Sequence, residues 1–376
     1  MVNYITSVGV QQVTITIPAS STSATATINA VGSGAFIVWQ GTTSSETGNQ
    51  YDDAMATVTL TNSTTVTATR SVSSANTVTL NAAIIDGDTT NLVKSVQYGT
   101  VTIASGSTSG TATVSSVTNA NTAILLLGQS ASGSRTGLIN AMPVISLSGT
   151  TVTAAIDSSV SNVLTVSFCV IQFQATALNS STQNVALSSA TNNTSLTSTI
   201  SSVTTSNAWL AFGGWFGSTN QNDLSQYNAR INTATTIVYN SQSSSTATKK
   251  FNCVVVEFVS GVLAQSVQRG LISLSAATSN TATITSSSPS TTLVNWVNNN
   301  SSLNAAEPAV TSYNITQTNA TTLTMSSNAS ATGAGSYEVF SVHPGLQWVK
   351  SSVRMVVNLG DCSPCATLMS SHSCWR

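Results

Sequence analysis

The chain has 376 residues, of which only 6% are charged, and a net charge of −1. Ser and Thr fill 124 positions between them, and 41% of residues are apolar. This excludes a disordered charged chain, which pairs high charge with low hydrophobicity, and a coiled coil. Lys and Arg stand singly, so no basic stripe is present to neutralise phosphates, and nucleic acid is excluded as a partner. The longest apolar run is five residues, as at 123–127. A membrane helix needs about 20, so no membrane insertion is expected. Residues 1–6 carry neither a basic nor an apolar leader, which predicts a soluble chain made in a cytoplasm and not exported by a signal peptide.

Read in chain order, the sequence repeats itself. Ser7-Val8-Gly9-Val10-Gln11 opens a first copy, and residues 13–31 alternate as strand, small polar turn and strand. A more apolar strand follows at Phe36-Ile37-Val38-Trp39, then a hairpin over 56–70 and a closing strand over 78–85. The second copy opens at Ser95-Val96-Gln97-Tyr98-Gly99 and runs through 99–117, Ile124-Leu125-Leu126-Leu127, a hairpin over 144–156 and a closing strand over 163–173. The third opens at Ser181-Thr182-Gln183-Asn184-Val185, continues to Trp209-Leu210-Ala211-Phe212 and closes over 251–259. The fourth opens at Ser266-Val267-Gln268-Arg269-Gly270, passes Leu293-Val294-Asn295-Trp296 and closes over 336–342. The openings lie 88, 86 and 85 residues apart. Six short strands per copy, with turn signals every 8–12 residues, indicate a β-sandwich or small barrel. The expected fold is all-β: four tandem antiparallel sandwiches, Ig-like or jelly-roll-like, of about 85 residues each. The expected domains are 1–94, 95–180, 181–265 and 266–345, joined as a stiff string, with an irregular segment at 346–376.

Few residues offer chemistry. Outward Thr solvates a strand without charge. The alternative, a hydroxyl array for carbohydrate or ice, lacks a regular Thr-x-Thr ladder. Asp52-Asp53 and Asp86-Gly87-Asp88 sit at expected turns, where Asp and Gly are ordinary. Asp86 and Asp88 alone are too few for calcium, and Glu46 with Asp53 is the one carboxylate pair a glycosidase reading could use. No catalytic residue and no cofactor are expected. Trp39, Trp209 and Trp296 occupy equivalent core strands, whereas Trp215, in Gly213-Gly214-Trp215-Phe216-Gly217, is expected in an exposed loop as a contact residue. Cys169 and Cys253 read as buried thiols. After His343 the pattern stops, and Cys362, Cys365, His372 and Cys374 crowd together as candidate zinc ligands. A disulfide, a disordered tail and an artefact of the reading frame are the alternatives there.

Ser-Val-Gln-x-Gly followed by a Thr-Val-Thr-Ile-Ala run, strongest over 95–129 and 266–285, resembles repeats in bacteriophage virion proteins of tails and appendages. The resemblance implies tandem β modules, a virion location and no enzymatic residue to carry over. The expected role is a non-enzymatic structural component of a phage particle, in a tail, neck, fibre or capsid-surface position. Its expected partners are other virion proteins, further copies of the chain and a host surface glycan or receptor. Trp348 and Trp375 are expected near a docking contact. The alternatives are a bacterial or archaeal surface adhesin or filament subunit, and a carbohydrate-active enzyme.

Overall fold

The computed structural model describes residues 9–342 except 49, 134–141, 160, 191, 219–225, 243, 245–247, 302–307 and 309–311. Alternating Val, Ile and Thr form the strands, and Ser, Gly and Asn form the turns between them. The first quarter of the chain contains β1 (Val10–Ile17), β2 (Ser23–Thr27), β3 (Ala35–Ser44), β4 (Thr57–Asn62), β5 (Thr65–Thr69) and β6 (Val78–Asp86). The second contains β7 (Val93–Ile103), β8 (Ser109–Thr113), β9 (Thr122–Ala131), β10 (Val144–Ser148), β11 (Thr151–Ala155) and β12 (Leu164–Phe173). The third contains β13 (Gln183–Ser189), β14 (Ser195–Thr199), β15 (Ala208–Gly217), β16 (Asn228–Thr233), β17 (Thr236–Asn240) and β18 (Lys249–Glu257). In the fourth, strands that are separate elsewhere run together as β19 (Leu263–Thr283) and β22 (Thr322–Val342), around β20 (Thr292–Ser301) and β21 (Tyr313–Asn319).

One pairing pattern recurs. The closing strand stands between the first and third strands, as β6 between β1 and β3, β12 between β7 and β9, and β18 between β13 and β15. These closing strands are buried on both faces, which is why they read as apolar runs in place of alternation. The second, fourth and fifth strands form the other ladder, as β2-β5-β4. An amide clasp fixes each copy. Gln97 donates to the Ser115 carbonyl at 3.2 Å and accepts from the Ser115 amide at 2.7 Å. Gln11, Gln183 and Gln268 make the same clasp with Asn29, Ser201 and Thr285. The Gln of the repeated motif is therefore a structural residue. It also corrects the register of the first copy, because Gln11, and not Gly9, is the counterpart of Gln97.

The sandwiches are not separate, and the fold expected from the sequence is corrected here. The chain is all-β, but its four sheets interleave. One six-stranded sheet runs β2-β5-β4-β9-β12-β7 and another runs β13-β18-β15-β10-β11-β8, each drawing on two quarters of the chain. The seven-stranded sheet, β1-β6-β3-β21-β22-β19 with β20 on β22, joins the first quarter to the last. Ladders therefore join the fourth quarter to the first, the first to the second and the second to the third, while β14-β17-β16 stands alone and side chains close the cycle between the third and fourth. Each third strand bulges after its apolar half and pairs with its own closing strand on both sides of the bulge; in three of the four, the bulge itself meets the fourth strand of the preceding quarter. Gly128 thus pairs with Thr57, Gly214 with Val144, and Gly41 with Asn314. Periodicity fixes which face of a strand is buried, not which neighbour its edge meets. All described residues fall within one compact unit, Tyr4–Leu346.

Candidate functional site

The bulges place glycine at three of four equivalent points. Gly41, Gly128 and Gly214 have φ of 98°, 89° and 99°, the left-handed region open to glycine. A Cβ at these positions would stand 2.2, 2.2 and 2.1 Å from the carbonyls of Tyr313, Ala56 and Pro143. The backbones approach too closely for any side chain. At the fourth point Asn298 takes the place of glycine, with φ of 68°. No ladder joins β16 to β20 among the described residues, and the Asn298 amide donates to the Tyr227 carbonyl at 2.7 Å instead. Ser336 supports this junction by donating to Ala229 O at 2.7 Å.

The residue after each bulge turns to the middle of the cycle, so Thr42, Gln129, Trp215 and Asn299 line one cavity of about 50 Å³. The residues that precede the fourth strands, Met55, Met142, Gln226 and Ser312, line it as well. The Gln129 amide donates to the sulfurs of Met55 and Met142 at 3.1 and 3.0 Å, while its carbonyl oxygen is buried without a partner. Asn299 donates to Gln226 Oε1 at 3.3 Å. Trp39, held by a hydrogen bond to Thr42 Oγ1 at 3.1 Å, stacks on Phe212 with ring centroids 6.2 Å apart. Those two residues come from quarters that share no ladder, so the middle of the cycle is closed by packed rings. Among the described residues the lining holds no carboxylate, imidazole, amine or thiol. It can bind or pack, and its hydroxyls, on Thr42, Ser312 and Tyr313, have no general base among the described lining residues.

Trp215 lies in β15 and is 5% exposed, which corrects the exposed loop expected for it. Trp209 and Trp296 are each 1% exposed and belong to the core. Glu46 is committed to its own loop: it accepts from Gly48 N at 2.6 Å and from the Asn76 amide. Asp53 lies near it, and burial, Asp52 and Glu46 raise its carboxyl above the usual range. The guanidinium of Arg70, 1% exposed, knits the same region by donating to the carbonyls of Ser21, Asn76 and Pro18 at 2.7, 2.9 and 3.0 Å. Asp86 accepts from Gly32 N at 2.9 Å and Asp88 from Thr90 N at 2.7 Å, so both carboxylates organise turns. Among the described residues no group of three or more His, Cys, Asp or Glu could hold a metal ion. Cys362, Cys365, His372, Cys374, Trp348 and Trp375 lie outside the described residues.

The axial residues were not legible as a site. The available signal was the glycine after each apolar strand, at 41, 128 and 214, which the Asn at 298 interrupts. No protein-family model matches the chain, and no curated protein matches it. Among solved structures it is similar to a chain from the atomic structure of Sulfolobus turreted icosahedral virus, at 11% identity over 68% of this chain and 91% of that one. The TM-score of that superposition is 0.18, which carries no argument. No described helix is long and apolar enough to cross a membrane.

Proposed function

We propose that the chain is a non-enzymatic structural protein of a bacteriophage particle, placed in a tail, neck, fibre or on the capsid surface. The observation that supports this reading is the way one chain joins its four quarters, by three strand ladders and one side-chain junction, with Asn298, Arg269 and Glu338 bonded where the third and fourth quarters meet. An uncharged sheet with open edges invites unwanted pairing, and covering the edges is the usual remedy. The repeated Ser-Val-Gln-x-Gly motif, through its resemblance to phage virion repeats, supplies the setting: assembly in the host cytoplasm and residence in the virion.

The outer strands suggest how it attaches. β2, β8 and β14 end their sheets, and their sequences SATAT, SGTAT and SLTST carry no charge. These edges are suited to other virion proteins and to further copies of the chain, with a host glycan or receptor as an additional partner. The test is mass spectrometry of purified particles followed by imaging of particles carrying a tagged chain. Stoichiometric recovery and discrete density support the reading. Recovery from the host envelope alone would replace it with the adhesin reading, and release of reducing sugar from host polysaccharide would replace it with an enzyme.

A further inference from the structure

The four junctions of the cycle share a plan, and one of them is unfilled. Ala35, Thr122, Ala208 and Thr292 begin the four third strands, and the carbonyl of each faces the next quarter. Between the first and second quarters the Tyr98 hydroxyl donates to the Ala35 carbonyl at 3.0 Å, and Tyr98 is paired in register with Cys169. Between the third and fourth, Arg269 donates to the Ala208 carbonyl and, at 2.6 Å, to that of Thr205, paired in register with Glu338. Between the fourth and first, Gln12 Nε2 reaches the Thr292 carbonyl at 3.2 Å.

Between the second and third quarters the corresponding pair is Asn184 and Val254. Asn184 is exposed and too short to cross the junction, and the Thr122 carbonyl is met by the Thr182 hydroxyl at 3.0 Å. Where Tyr98 lies in the related junction, a cavity of about 120 Å³ remains, lined mainly by Ile124, Ile145, Leu147, Val185 and Val254, with Ser146, Asn184, Asn252 and Cys253 as its polar and sulfur-bearing members. Ile124 and Val254 correspond to Ile37 and Cys169, the groups against which Tyr98 sits.

We propose that this cavity is a binding site for a single phenol ring. An apolar cavity of about 150 Å³ holds benzene. This one is slightly smaller but opens to solvent beside the exposed Asn184, so a ring can enter it with its hydroxyl left at that polar mouth. No described wall residue carries a charge, so a charged ligand would lose its hydration without a counter-charge. A sugar, with hydroxyls all round its ring, would meet only Ser146, Asn184 and Asn252, and the Asn252 amide already donates to the Ile145 carbonyl. The chain itself displays the occupant: Tyr98 is a phenol seated on the equivalent surface. The site takes either a free phenol or the tyrosine side chain of another chain. This proposal does not rest on the virion reading.

The experiment uses the full chain with labelled Ile and Val methyl groups, titrated with p-cresol. Saturable shifts are expected at Ile124, Ile145 and Val254, with a Kd on the order of 1 mM. Asn184→Tyr, at an exposed position, should abolish them by filling the cavity from within. Val254→Phe fills it from the opposite wall and serves if the first variant does not fold. Tyr98→Ala should add a second set of shifts at Ile37. N-acetyl-tyrosine amide separates the sources: if it shifts the same methyls, a chain-borne tyrosine fits, and if only p-cresol does, the ligand is a free phenol. The proposal is overturned if p-cresol gives no saturable shifts at these methyls. It is also overturned if the shifts persist in both filled variants, or if Tyr98→Ala creates no second set.

Discussion

Glu338→Cys is the substitution that most directly tests whether the junctions share one plan. Glu338 is fully buried, and its carboxylate accepts from Arg269 Nε at 2.7 Å, from Leu210 N at 2.7 Å and from the Asn295 amide at 3.2 Å. Arg269 is itself only 11% exposed, so salt and water screen the pair little. Removing the carboxylate strands a guanidinium and a backbone N–H in the interior. Breaking a buried pair in this way costs about 3–5 kcal/mol, a large share of the roughly 5–15 kcal/mol that holds a protein folded. In urea denaturation the midpoint should fall by on the order of 1 M. Arg269→Tyr combined with Glu338→Cys rebuilds the Tyr98–Cys169 junction, in which the Cys169 thiol lies beside the Ile37 backbone. Because Ile37 corresponds to Leu210, the double variant should recover at least about 2 kcal/mol of the loss, a coupling within the range for residues in contact. A double variant no more stable than Glu338→Cys alone would falsify the equivalence of the two junctions.

Three other outcomes follow from the geometry. Gly214→Ala places a Cβ 2.1 Å from the Pro143 carbonyl at a φ of 99°, and should cost more than about 1 kcal/mol in the same assay; Asn298→Gly should also destabilise, by about 1 kcal/mol, because it removes the bond to Tyr227. Cys169 and Cys253 are 0% and 2% exposed and should resist thiol reagents at pH 8 until the chain unfolds. Burial raises both thiols, that of Cys253 from 9.0 to about 12, so the folded chain holds these protons longer than the unfolded one. Stability is then complete below pH 9 and declines as pH rises from 9 toward 12, which melting temperatures across that range would show. With 6% charged residues, association through the outer strands should change little with salt; dissociation between low and moderate salt would contradict attachment by apolar contacts and hydrogen bonds.

Strand periodicity, turn composition and the recurring Gln already determined the local units from sequence, because each depends on residues close in the chain. Alternation places Val and Ile on one face, and the Ser, Gly and Asn clusters reverse the chain. The clasp between Gln97 and Ser115 spans only 18 residues. Cys169 and Cys253 could be assigned to the interior because their strands are apolar without alternation. The partners of strand edges could not be assigned. A backbone N–H or C=O is the same in every residue, so nothing in the composition of β3 distinguishes a fourth strand in its own hairpin from β21, far along the chain. The decision lies in glycines where a Cβ would stand only about 2.2 Å from the carbonyl oxygen of another strand, and in Asn298, which uses its side chain where glycine is absent. Trp215 was misread for the same reason: a Gly-Gly step reads locally as a loop, and only closure of the cycle turns it into a bulge that buries the ring. The cycle, its filled axis and the one unfilled junction are tertiary facts, because they depend on which distant edges meet.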